Sequence, residues 1–172
     1  MSGKLTLVIG GAASGKSAFA ESLVIAQDKP RFYIATSRVL DDEMERKVAR
    51  HVEMRGEGWT TLDAPLAPQI ALEPRGPTDV VLLDCATMWL MNHLMDDTDL
   101  IAATSALLQG LTDCKADCVV VTNELGLGIV PADPLSRRFR QAQGELNQAL
   151  AAHADTVFNV IAGLPQLLKG AA

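Results

Sequence analysis

Apolar positions gather into five short runs: LTLVIG (5–10), RFYIAT (31–36), DVVLLD (79–84), CVVVTNE (118–124) and TVFNVIAG (156–163). A strand with one wet face alternates apolar and polar residues, whereas a strand covered on both faces is apolar almost throughout. The runs are mostly continuous, so they predict buried strands of a parallel sheet. Between them the apolar spacing becomes helical. Residues 16–26 (KSAFAESLVIA) follow the first run, and a charged stretch over about 42–55 follows the second. An apolar run near 86–95 and a stretch near 98–113 precede the fourth. Asp133 followed by Pro134 supplies an N-cap and a first helical position for a helix near 134–153. There Leu135, Phe139, Ala142, Leu146, Ala149 and Leu150 keep helical spacing. Strands alternating with helices predict right-handed crossovers and an α/β fold with a mostly parallel central sheet flanked by helices.

Residues 64–79 (APLAPQIALEPRGPTD) hold four of the eight prolines. The halves on either side are small for separate domains. This stretch is therefore predicted as a surface connection carrying one short helix, within a single domain over 1–172. The net charge of −6, with no long Lys/Arg run, argues against nucleic acid and anionic membrane as partners. No apolar run is long enough to span a bilayer. The N-terminal apolar run is too short for a signal peptide, which points to a cytoplasmic protein. Cys85, Cys114 and Cys118 lack CxxC spacing and are odd in number, so they read as small buried hydrophobes rather than a disulfide framework or a zinc site.

In open α/β sheets, ligands bind beyond the carboxyl ends of the strands. The first run leads into Gly10-Gly11-Ala12-Ala13-Ser14-Gly15-Lys16-Ser17, which fits G-x-x-x-x-G-K-[ST]. Such a loop curls so that its backbone N–H groups face phosphate oxygens, and the following helix adds its positive end. Its lysine reaches the β- and γ-phosphates, and its serine can ligate Mg²⁺. The motif sits between a predicted strand and a predicted helix, the context this chemistry requires. The fold class is therefore a P-loop NTPase type. The third run ends in Asp84, a candidate holder of Mg²⁺. The fourth leads to Glu124, which could hold metal, orient a substrate hydroxyl or brace the glycine turn that follows. The second ends in Thr36-Ser37, whose hydroxyls either touch phosphate or ribose or cap a turn. No N-K-x-D segment follows a strand, which speaks against a guanine-reading switch. Arg137, Arg138 and Arg140 cluster on the late helix and read as a solvated face.

Residues 41–56 (DDEMERKVARHVEMRG) read as a surface helix with a stripe of Met44, Val48 and Val52. His51 lies seven positions from Met44, nearly the same direction, and Arg55 is one turn further along. Two polar heads thus stand on a face that should be apolar. His93 and His153 sit on apolar helical stretches and read as structural.

GGAASGKS (10–17), YIATSRVLDDEM (33–44), His51 followed by Arg55, LLD (82–84), TNELGLGIVP (122–131) and RRFRQAQGELNQALA on the late helix come in this order over nearly the whole chain. Together they resemble the bifunctional adenosylcobinamide kinase / adenosylcobinamide-phosphate guanylyltransferases. That resemblance implies two reactions in cobalamin assembly. ATP or GTP phosphorylates the aminopropanol hydroxyl of adenosylcobinamide. GMP then passes from GTP to the resulting phosphate through a covalent histidine, here His51. It also implies nucleotide contacts from Ala35, Thr36 and Ser37, from Val52, Glu53, Met54 and Arg55, and from Asp63 and Asp84. Further implications are Mg²⁺ and a closed homo-oligomer, a trimer. The family often has arginine at Ala13 and glutamate at Asp63 and Asp84. Rival readings are a simple P-loop small-molecule kinase and a nucleotide-binding regulatory module.

Overall fold

The computed structural model describes residues 2–38 and 56–171. In chain order its elements are β1 (Leu5–Gly10), α1 (Lys16–Ile25), β2 (Arg31–Ala35), β3 (Trp59–Asp63), α2 (Pro68–Leu72) and β4 (Val80–Asp84). There follow α3 (Ala86–Met95), α4 (Leu100–Asp113), β5 (Asp117–Asn123), α5 (Pro134–His153), β6 (Thr156–Ile161) and β7 (Leu164–Lys169). The helix expected over 42–55, with His51, Val52, Glu53, Met54 and Arg55, lies outside the described residues.

Among the described residues, seven strands form one sheet in the order β3-β2-β4-β5-β1-β6-β7. Every pairing is parallel except β6 with β7. The continuous apolar runs have the cause expected of them. In β4, Val80 and Leu82 pack with Ala20 and Val24 of α1, whereas Val81 and Leu83 pack with Trp89, Leu107, Leu146 and Leu150 of α3, α4 and α5. The sheet thus has helices on both faces, and each face removes alternate side chains from water. Full burial of one such side chain contributes about 1.5–3 kcal/mol. No helix among the described residues is long and apolar enough to cross a membrane.

Two strands were not expected. β7 has all six residues exposed and carries Pro165, which a central strand would exclude but an edge tolerates. It pairs back on β6 through a tight turn with positive φ at Ala162 (51°) and Gly163 (78°), so the strand expected over 156–163 ends at Ile161. β3 is short and largely polar; it pairs along its whole length with β2, and its Trp59 packs against that strand. That ring meets Tyr33 edge-on at 6.1 Å, and the Arg31 guanidinium lies 5.5 Å from its centroid.

Elsewhere the expected elements recur. The proline-rich connection carries the five-residue α2. The Asp133 side chain accepts from Ser136 N–H at the start of α5. Leu146 and Leu150 are buried, but Leu135 is half exposed, so the apolar stripe of α5 begins a turn late. Cys114 and Cys118 are buried thiols, and Cys85 is half-buried.

Polar side chains of α3 join the helix to the loops after β2 and β3. The Asn92 amide donates to Thr36 O (2.7 Å) and Pro65 O (2.9 Å). The Trp89 indole donates to Leu66 O (3.0 Å). His93 holds Leu66 O through Nε2 (3.0 Å) and Thr98 Oγ1 through Nδ1 (2.7 Å), as a structural histidine should.

Burial decides what a leucine contributes. Leu83→Ala, at a position 1% exposed, should cost about 3 kcal/mol in urea unfolding. Leu127→Ala, at a position 91% exposed, should stay within about 0.5 kcal/mol of the parent. Similar losses at the two positions would contradict the packing described here.

Candidate functional site

β1 delivers the chain at Gly10, and α1 takes it up at Lys16. The intervening turn needs positive φ at Ala13 (54°) and Gly15 (91°). It also needs close approach. A Cβ on Gly10 would fall 2.4 Å from Ser14 Oγ and 2.8 Å from Val160 O. One on Gly15 would fall 3.0 Å from Gly163 Cα. The β6–β7 turn therefore presses on the loop, and Gly163 N–H donates to Ser14 O (2.7 Å). No side chain caps the start of α1, so its first N–H groups remain as donors for an anion.

Lys16 Nζ donates to Gly11 O (3.1 Å), folding the ammonium over the loop. Burial lowers its pKa, opposed by the nearby Cys85 thiol as it ionises at alkaline pH and by the Asp84 carboxylate. Asp84 stands half-buried at the end of β4, and its Oδ2 accepts from the Tyr33 hydroxyl (2.9 Å). Cys85 Sγ accepts from Met88 N–H at the start of α3. Burial, with the Asp84 charge behind it, pushes the Cys85 thiol up to about 11, which leaves it protonated and a poor nucleophile.

Register sets the remaining distances. Ala35 pairs with Asp63 on one side and Asp84 on the other, so these three residues stand level across β3, β2 and β4. Two strand spacings separate the carboxylate-bearing strands, roughly 10 Å. Asp63 lies at the exposed end of the edge strand. Thr36 is fully buried, and its hydroxyl donates to Cys85 O (2.7 Å) and accepts from Cys85 N–H (2.8 Å). Of the two roles open to the Thr36 hydroxyl, the structure shows the turn-holding one. Ser37 follows half-buried.

Gly10 pairs with Asn123, and Glu124 N–H donates to Gly10 O (3.0 Å), so the end of β5 lies against the mouth of the loop. The Glu124 carboxylate accepts the Gly126 N–H and braces the glycine turn. A buried network fixes this end from α5 and α3. Gln143 Nε2 donates to Thr122 Oγ1 (2.9 Å) and Asn147 Oδ1 (2.8 Å). Thr122 donates to Asn147 Oδ1 (2.7 Å), Asn147 Nδ2 donates to Asn123 O (3.0 Å), and Asn123 N–H donates to Thr87 Oγ1 (2.8 Å). Sequence reasoning missed this network and the Tyr33 contact, because both join residues on separate elements.

The arginine cluster is not a plain solvated face. Arg137 donates to Pro131 O (3.0 Å) and Ala132 O (2.6 Å), and Arg140 donates to Gly126 O. Both strap the loop after β5. Arg138 makes an exposed 3.7 Å pair with Asp97. Thus Gly10 to Ser17, Ala35 to Ser37, Asp84 and Glu124 gather along one sheet edge, with Asp63 at its far end.

Residues 6–168 match the family model described as cobinamide kinase / cobinamide phosphate guanyltransferase. The chain is 41% identical, over 95% of its length and 96% of the relative's, to a bifunctional adenosylcobalamin biosynthesis protein CobP of Pseudomonas aeruginosa. It is 38% identical, over 96% and 99%, to a bifunctional adenosylcobalamin biosynthesis protein CobU of Escherichia coli. Among solved structures, one from a structural study of PH0250 of Pyrococcus horikoshii OT3 superposes with a TM-score of 0.60 at 10% identity, over 99% of this chain and 88% of that one. The RadB recombinase superposes with a TM-score of 0.55 at 18% identity, over 92% and 74%. Both likenesses are of fold.

The bracing role of Glu124 is open to test. Glu124→Ala should free the loop after β5, seen as faster cleavage between residues 125 and 131 by a broad-specificity protease with unchanged far-UV circular dichroism. An unaltered cleavage rate would mean that the arginines alone hold the loop.

Proposed function

This chain belongs to the cobinamide kinase / cobinamide phosphate guanyltransferase family, and from that premise we propose that it catalyses both reactions of the name. In the first, ATP or GTP phosphorylates the aminopropanol hydroxyl of adenosylcobinamide. In the second, GMP from GTP is joined to that phosphate, giving adenosylcobinamide-GDP for cobalamin biosynthesis.

The observation that carries this reading is the turn from β1 to α1, built for close approach, with the Lys16 ammonium folded over it. In the phosphoryl step, the backbone N–H groups of residues 10–15 and the Lys16 ammonium neutralise the triphosphate. Mg²⁺ is the metal the reading implies. Ser17 and Asp84 would hold it, and it would supply charge neutralisation on the phosphates. One hydroxyl and one carboxylate suit a hard cation that takes its other ligands from water and phosphate. The fit rests on the half-buried Asp84, whose charge reaches the loop lysine.

In the guanylyl step His51 is the carrier. Its ring nitrogen attacks the α-phosphorus of GTP, a P–N bond forms, and the P–O bond to pyrophosphate breaks. An oxygen of adenosylcobinamide phosphate then attacks the same phosphorus, the P–N bond breaks, and the imidazole is restored. Ala35, Thr36, Ser37, Val52, Glu53, Met54, Arg55 and Asp63 are the candidate nucleotide contacts of this step. Thr36 would act through its turn, since its hydroxyl is engaged with Cys85. We extend the reading, on the family's pattern, to a cytoplasmic enzyme working as a closed homotrimer.

Lys16→Ala should abolish phosphorylation and weaken triphosphate binding measured calorimetrically. The pH dependence has a definite sign. The free ammonium has a lowered pKa, and phosphate favours its charged form, so binding takes up a proton above that pKa. Parent affinity should therefore fall as pH rises from that lowered value toward 10.5, and the variant should lose this fall.

His51→Asn separates the two reactions. Parent protein with GTP and Mg²⁺ should gain one GMP per chain by mass, as an adduct labile in acid and durable in alkali. The variant should form no adduct and no adenosylcobinamide-GDP, yet still phosphorylate adenosylcobinamide. An adduct on the variant, or parallel loss of both activities with folding, would overturn the assignment.

A further inference from the structure

Both proposed reactions act on the aminopropanol arm of one corrinoid, so the corrinoid needs a seat beside the nucleotide, and one loop stands out for it. Residues 124–133 (ELGLGIVPAD) leave the sheet where Glu124 N–H bonds Gly10 O, at the mouth of the P-loop. The base of this loop is fastened by Glu124, Arg137 and Arg140. Its tip is the opposite of what solvation favours: Leu127 is 91%, Ile129 96% and Val130 67% exposed. A loop kept apolar at its tip and held at its base is built for contact.

Beneath it, along α5, lies a hollow of about 440 Å³ walled in part by Val130, Pro131, Arg140, Gln141 and Gln148. Arg140 Nη1 is buried and has no hydrogen-bond partner among the described residues, although its Nη2 bonds Gly126 O. A buried donor without an acceptor costs about 1–3 kcal/mol, which a ligand carbonyl would recover. Aliphatic side chains beside the Arg140 guanidinium and the Gln148 amide match a broad ring with methyl-studded faces and a carboxamide fringe. That is the chemistry of a corrin. Three aliphatic side chains form a patch of a few hundred Å². A stable protein partner needs roughly 800 Å² on each side.

We propose that the 126–131 loop and the adjoining face of α5 seat the corrinoid. The ring face lies on Leu127, Ile129 and Val130, and carboxamide oxygens take donors from Arg140 and Gln148. This inference rests on the two-reaction reading above for the identity of its ligand.

The test is the double variant Leu127→Ser with Ile129→Ser, both at exposed positions where folding loses little. Equilibrium dialysis of adenosylcobinamide against nucleotide-free protein measures the seat directly, whether or not the parent turns over. The variant should bind roughly tenfold more weakly or worse, and its KM for adenosylcobinamide should rise to match. ATP affinity without corrinoid should stay within about twofold, because hydrophobic tip residues touch no phosphate. Parent binding without turnover would sink the two-reaction reading and leave the seat standing. Equal corrinoid affinity in parent and variant would overturn the seat while leaving the reactions intact. No binding to the parent, a parallel loss of ATP affinity, or a fall in sedimentation mass would also overturn the seat, the last by making the tip an interface between copies.

Discussion

The passage from β1 to α1 is the constraint on which the rest of this structure depends. Five residues must turn the chain from strand to helix while leaving backbone N–H groups for an anion. The turn does so by putting Ala13 and Gly15 in the left-handed region and by leaving no room for a side chain at Gly10 or Gly15. A turn this tight is not held by its own residues alone. Val160 O, Gly163 and Glu124 N–H close on it from β6, the β6–β7 turn and the end of β5. The edge hairpin, with its six exposed residues, thereby supports the P-loop.

The second requirement is that the strand ends stay at fixed heights. Apolar packing sets the spacing of sheet and helices but is non-directional, so it does not orient individual loops. Directional bonds do that here. Gln143, Asn147 and Thr87 hold the end of β5, Tyr33 holds Asp84, and Asn92 ties the loops after β2 and β3 to α3. These groups are largely buried, where a satisfied network specifies one arrangement and a broken one is costly. They explain why polar residues interrupt helices that face the core.

The electrostatics of the site follow from the same placement. Lys16 is drawn out of water over the loop, which disfavours its charge, and Asp84 offsets that cost from the neighbouring strand end. An ammonium held this way gains from an arriving phosphate what burial took from it. The strapped loop beyond Glu124 continues the same edge outward, changing from phosphate chemistry to apolar contact within a few residues.

Much was determined by the sequence alone: five buried strands from continuous apolar runs, the P-loop from GGAASGKS, the α5 cap from Asp133-Pro134, and the family from blocks along the whole chain. Each is a local pattern, set by neighbours in sequence. β3 and β7 left no such pattern, because an edge strand bonds through its backbone and tolerates polar or exposed side chains. The level row of Ala35, Asp63 and Asp84, the strapping by Arg137 and Arg140, and the bracing by Glu124 were decided only by tertiary structure. A hydrogen bond between residues far apart in the chain depends on register and strand order, and neither is written in the spacing of side chains along one segment.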